Sequence, residues 1–190
     1  MTRYQIHRGR PLHLIFLLSL CAVGVGQASP HLGQGIASTP LTEVVFDGDG
    51  VRDRQVSIEL PGDLDEPLLV VYVPATRSAK RCVMNLVEPI EDAGAALLPI
   101  NLVNVLDLTQ ANVLIRWLVK TVYRGAREEN ADPRVRFFFD STGVVRTRWG
   151  IAQPLCAYTL YHPNFLPLSG SGMPTERFIR AMLDRLTVVD

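Results

Sequence analysis

Apolar residues recur along this chain at two distinct periods. Leu68-Leu69-Val70-Val71-Tyr72-Val73, led in by Pro67, is an unbroken apolar run, the pattern of a strand buried on both faces. Leu97–Leu106 predicts a second such strand. Between them Cys82, Val83, Leu86, Val87, Ile90 and Ala93 recur at helical spacing, so a helix crosses from one strand to the other, with Pro89 expected to kink it. Thr109 is placed to cap a second helix reaching about Glu129. Val135–Phe139 and Val144–Trp149 read as strands around a turn, Asp140-Ser141-Thr142-Gly143. Leu155–Tyr161 and Phe165–Leu168 flank His162-Pro163-Asn164 in the same way, and Phe178, Ile179, Met182, Leu183 and Leu186 mark a last amphipathic helix. Ahead of all these, Leu41–Phe46 and Gln55–Leu60 flank Asp47-Gly48-Asp49-Gly50, the pattern of an N-terminal β-hairpin.

The strand–helix–strand start demands parallel neighbours joined by a right-handed crossover, and the later hairpins add antiparallel strands. The expected class is therefore α/β, a mixed central sheet with helices on both faces.

The first thirty residues read differently. Arg3, Arg8 and Arg10 precede the apolar run Leu14–Val23, and small and polar residues follow. That order is a secretory signal peptide, with cleavage expected after Ala28 and Gly26 at the small −3 position. The run is shorter than the roughly 20 residues a spanning helix needs, so no stable membrane insertion is expected after cleavage. Leu20 before Cys21 is too large for a lipoprotein signal. The expected organisation is a signal peptide over 1–28, a flexible leader over 29–40 and one domain over 41–190, placed in a Gram-negative-type periplasm.

Composition narrows the function. The 190 residues are 47% hydrophobic and carry 19 basic and 19 acidic side chains. Loss of the three signal-peptide arginines leaves a net charge of about −3, which disfavours nucleic acid as a partner. His31 and His162 are the histidines beyond the expected signal peptide, too few for a metal centre or a Ser-His-Asp constellation, and no cofactor is expected. Asp47, Asp49 and Asp53 lack the spacing of a calcium loop and read as an acidic turn.

From about residue 42 to 188 the chain resembles the thioredoxin-like superfamily, in particular the branch of exported thiol–disulfide oxidoreductases and peroxiredoxins. The resemblance rests on Val70-Val71-Tyr72-Val73-Pro74-Ala75-Thr76 ahead of the first long helix and on Phe139-Asp140-Ser141-Thr142-Gly143. Trp149-Gly150-Ile151 with Gln153-Pro154, and the closing segment from Gly170 to Leu186, also carry it. It implies a three-layer sandwich and a cis peptide at Pro154, beside the active-site end of the first helix.

The redox motif of that family is incomplete here. Exchange needs a thiolate at a helix N-terminus and a resolving thiol about one turn away. The family places this Cys-x-x-Cys pair just after the Ala-Thr segment, where this chain has Ser78-Ala79-Lys80-Arg81-Cys82. Either Ser78 or Ala79 then occupies the nucleophile position, with Arg81 or Cys82 in the resolving one. The peroxiredoxin spacing, with Cys three residues after Thr, also fails at Ala79. Cys156, two residues past Pro154, shares that proline's face and looks toward the helix of Cys82. The two cysteines either form a structural disulfide or remain two buried thiols.

Two further features need weighing. Arg116, Lys120, Arg124 and Arg127 form a basic stripe on the Thr109 helix, beside Val113, Leu114, Ile115, Trp117, Leu118 and Val119. A buried helix with one solvated basic edge is preferred over an interaction face for acidic partners or lipid headgroups. Phe137-Phe138-Phe139 alternates faces on a strand, so it reads as sheet core and not as a stacking platform. The functional expectation is a non-catalytic, exported binding or accessory module. Its groove, formed by Thr76, Arg77, Ser78, Lys80, Arg81 and Pro154, would hold a periplasmic protein segment or a small anion. The alternative is a thiol-dependent redox protein, a disulfide oxidoreductase or peroxidase, using Cys82, Cys156 or both.

Overall fold

The computed structural model describes residues 36–46, 50–94, 97–129, 132–151 and 155–187. Its elements are β1 (Ile36–Phe46), β2 (Val51–Leu60), β3 (Leu68–Pro74), α1 (Arg77–Ala93), β4 (Asn101–Asp107) and α2 (Val113–Glu129). Then follow β5 (Val135–Asp140), α3 (Val144–Arg148), β6 (Ala157–His162), β7 (Phe165–Ser171) and α4 (Glu176–Leu186). They build a seven-stranded mixed sheet in the order β2-β1-β5-β4-β3-β6-β7.

The most apolar run takes the centre. Every residue of β3 is buried, and so is every residue of β6 beside it. β3 pairs parallel with β4 and antiparallel with β6, and β4 pairs parallel with β5. The β1–β2 hairpin extends the sheet past β5.

Alternation along the strands then separates two cores. Leu69, Val71 and Val73 face one side, where Cys82 and Leu86 of α1, Val119 of α2, and Phe178, Met182 and Leu186 of α4 cover them. Val70 and Tyr72 face the other, with Val103, Val105 and Phe138, and are covered by Val145 of α3 and by Trp149. The phenylalanine triplet divides as its alternation requires. Phe137 and Phe139 meet Tyr123 of α2 edge-on at 5.4 and 6.0 Å, while Phe138 joins the opposite core.

Several expectations are corrected. Val144–Arg148 is a helix, not a strand, because buried Asp140 behaves as a helix cap instead of a turn residue. Its Oδ1 accepts the backbone N–H of Thr142, Gly143 and Val144, and its Oδ2 that of Val145. These are the amide groups that a first helical turn leaves unpaired. β4 begins at Asn101, after Pro99, whose missing N–H cannot join a central ladder. The second helix is capped by Asn112, whose Oδ1 accepts from Ile115 N at 2.9 Å; the Thr109 hydroxyl donates to Asp107 instead. β1 starts at Ile36, so ordered strand reaches into the stretch read as leader. α1 continues through Pro89, which lies inside the helix. The segment read as a signal peptide, Asp47 and Asp49, and Pro154, where a cis peptide is expected, lie outside the described residues.

α2 inverts its expected polarity. Val113, Leu114 and Trp117 are exposed, at 83%, 71% and 63%. The basic stripe instead bonds inward. Arg116 donates to the carbonyls of Leu108 and Ala111, Lys120 and Arg124 pair with Asp53 of β2, and Arg127 donates to the carbonyls of Asp132 and Val135. The stripe is thus partly solvated, with the Arg124 side chain 42% and that of Lys120 31% exposed, while its charged ends are paired within the chain.

Candidate functional site

The parallel strands β3, β4 and β5 end together, and their carboxyl ends carry the chemistry, as open α/β sheets dictate. After β3 the chain turns at Pro74-Ala75 and enters α1, with Thr76 as the exposed N-cap residue. Lys80 and Arg81 stand exposed on the first turns. The side chains of Arg77 and Ser78 lie outside the described residues.

The inner face of α1 presents Ala79, Cys82 and Leu86 at helical spacing, 7%, 0% and 0% exposed. Placing Cys82 on this apolar face matches the alignment in which it holds the resolving position and Ala79 the nucleophile position. Cys82 is joined to Cys156, just ahead of β6, by a disulfide with a Cα–Cα distance of 6.5 Å across a sequence separation of 74. The structure thus selects the disulfide over two separate thiols. Cys82 is sealed, whereas Cys156 retains 8% exposure.

Gly172, in the turn between β7 and α4, touches both halves of the bridge. Its N–H donates to the Cys156 carbonyl at 2.7 Å, and its own carbonyl oxygen lies 3.7 Å from Cys82 Sγ. Its φ of +77° is a left-handed conformation that favours glycine. Nothing in the sequence marks this contact, because it depends on where a distant turn lands.

The opposite face of the same sheet end is polar and buried. Tyr72 donates its hydroxyl to Asp107 Oδ2, Asp107 Oδ1 accepts the N–H and hydroxyl of Thr109, and Arg146 of α3 lies 3.8 Å from Asp107. Burial first, then the bond to Asp107, pushes ionisation of the Tyr72 phenol far above its usual range, so it is a donor at any physiological pH. Asp107 and Asp140 are register partners on β4 and β5. The elements themselves consume this cluster: Asp140 starts α3 and Asp107 anchors the β4–α2 loop. Tyr72 shares a core with Trp149, on the side of the sheet away from Cys82, so the cluster has no path to the sulfurs. The sequence signal for it was Asp140 four residues before the apolar pair Val144-Val145, a cap spacing as much as a turn.

No family model and no curated protein matches the chain. Solved structures do. A thiol peroxidase from Chromobacterium violaceum superposes with a TM-score of 0.50 at 13% identity, over 83% of this chain and 88% of that one. An uncharacterized thioredoxin-like protein from Porphyromonas gingivalis gives 0.49 at 14% identity, over 78% and 87%. The thioredoxin domain of a thiol-disulfide oxidoreductase from Bacteroides vulgatus gives 0.48 at 11%, over 85% and 100%. At such identities the likeness bears on architecture alone. By its architecture, this chain has the thioredoxin-like fold.

Proposed function

We propose that the chain is an exported thiol–disulfide redox protein whose exchanging pair is Cys82–Cys156. The observation that carries this reading is the bridge itself. It joins α1 to the start of β6 at the carboxyl end of the parallel strands, although the Cys-x-x-Cys spacing is missing. The expectation of a redox-inactive binding module arose from Ser78 and Ala79 at the nucleophile position. The bridge supplies a different pair of sulfurs in the same end of the fold.

The chemistry balances with a dithiol substrate. A substrate thiolate attacks Cys156 Sγ, the sulfur of the less completely enclosed cysteine, 8% against 0% exposed; a new S–S bond forms and the Cys82–Cys156 bond breaks. The electron pair leaves on Cys82 Sγ, which takes up a proton. The second substrate thiolate then attacks the substrate sulfur of the mixed disulfide and releases Cys156. Substrate is oxidised to its disulfide and the protein is reduced to a dithiol; a disulfide substrate runs the steps in reverse. Thr76, Lys80 and Arg81 line the approach along α1 and favour an acidic or anionic partner, a protein segment of the periplasm or a small thiol.

Equilibration of the mature protein with glutathione buffers tests this. An exchanging pair titrates between about −120 and −270 mV, and Cys82→Ser or Cys156→Ser abolishes insulin reduction. A bridge still oxidised below about −300 mV overturns the reading. That result would favour the second one, in which the full burial of Cys82 marks a structural staple and the α1 entrance binds a partner without redox chemistry.

A further inference from the structure

The two sulfurs are unequal, and the turn at Gly172 makes them so. We infer that Gly172 is a positioning residue: in the reduced protein its carbonyl keeps the proton on Cys82, so that the thiolate forms at Cys156, which is the attacking sulfur. This deepens the redox reading above and rests on it.

Three observations converge. The Gly172 carbonyl oxygen lies 3.7 Å from Cys82 Sγ, within reach of an S–H donor once the bridge is reduced. A carbonyl oxygen beside a sulfur stabilises the thiol and disfavours the thiolate, because its negative end faces the sulfur. Both cysteines are buried in one core, where a charge is costly, but Cys82 is completely enclosed at 0% exposure whereas Cys156 lies at its margin at 8%. The Gly172 N–H bond to the Cys156 carbonyl ties the same peptide segment to the other cysteine, so the carbonyl stays in place when the bridge opens. The left-handed φ of +77° aims that carbonyl. A Cβ built at this position meets nothing within 4 Å, so Gly172→Ala strains the backbone without a clash.

The test is site-resolved alkylation of the fully reduced protein with iodoacetamide between pH 6 and 9.5, read by peptide mass spectrometry. In the wild type, Cys156 is expected to react first, at least tenfold faster than Cys82 at pH 7. In Gly172→Ala the pH midpoint of Cys82 is expected to fall by about one unit as the carbonyl swings away. The midpoint is the diagnostic, since a mere gain in access raises the plateau rate and leaves the midpoint where it was. Cys82 reacting as fast as Cys156 in the wild type overturns the assignment, and that measurement needs no variant. An unmoved Cys82 midpoint in a folded Gly172→Ala protein overturns the role of Gly172. Both results are separate from the glutathione titration: a pair that exchanges with glutathione while Cys82 leads sinks only the present inference.

Discussion

The two faces of the sheet solve the same covering problem by different means. On the face of Leu69, Val71 and Val73, three helices supply apolar ridges and a covalent bond pins α1 to β6. On the face of Val70 and Tyr72, the five-residue α3 and Trp149 supply the cover, and buried carboxylates hold it there. A helix too short to bury much area is worth little by itself. Asp140 offsets that by satisfying the amides at its start, and Arg146 reaches back to Asp107. The lesson is that one face is held by area and a crosslink, the other by a few polar groups whose loss is not shared out.

The sharpest way to break the comparison is to remove the crosslink. Cys82→Ala with Cys156→Ala opens a loop spanning 74 positions, and chain entropy puts the loss at about 4 kcal/mol. Urea unfolding followed by tryptophan fluorescence reads it; a loss below about 1 kcal/mol would show that the helical face holds without its bridge.

Next is the polar face. Asp140→Ala leaves the N–H groups of Gly143 and Val145 buried without their acceptor, at a cost of about 3 kcal/mol. Trp149, packed edge-on at 6.4 Å from Tyr72, should show altered near-UV dichroism. An unchanged signal would mean that packing alone holds α3.

The smallest effect concerns acid. Glu43 of β1 is buried, which raises its ionisation, but hydrogen bonds and charges from Arg136 and Arg54 outweigh this and leave it below its ordinary 4.5. A depressed carboxylate contributes stability that is present above its unfolded value and lost as pH falls through its folded one. Glu43→Gln should therefore flatten the stability profile below about pH 4.5 and cost little sensitivity above it. An equal slope in both proteins would assign the acid loss to other carboxylates.

Much of the architecture was legible in the residues. The apolar runs of β3 and β6, the helical spacing of α1 and α4, and the turn signal after Phe46 follow from periodicity, a local property that burial enforces residue by residue. α3 was misread because Asp-Ser-Thr-Gly suits a hairpin turn and a helix cap equally. Only the covering of Val70 and Tyr72 decides between them. The stripe of Arg116, Lys120, Arg124 and Arg127 was visible, but its partners were not: Asp53 lies far off in sequence and meets α2 only because β2 sits at the sheet edge.

The sequence by itself determined the class of fold, the candidate cysteines and the incomplete redox motif, since these depend on residue type and near-neighbour spacing. The tertiary structure alone decided that Cys82 and Cys156 bond, that α2 turns Val113, Leu114 and Trp117 outward, and that the Gly172 carbonyl faces a sulfur ninety positions away. Contacts across such separations depend on how strands are ordered in the sheet, and no local pattern records that order.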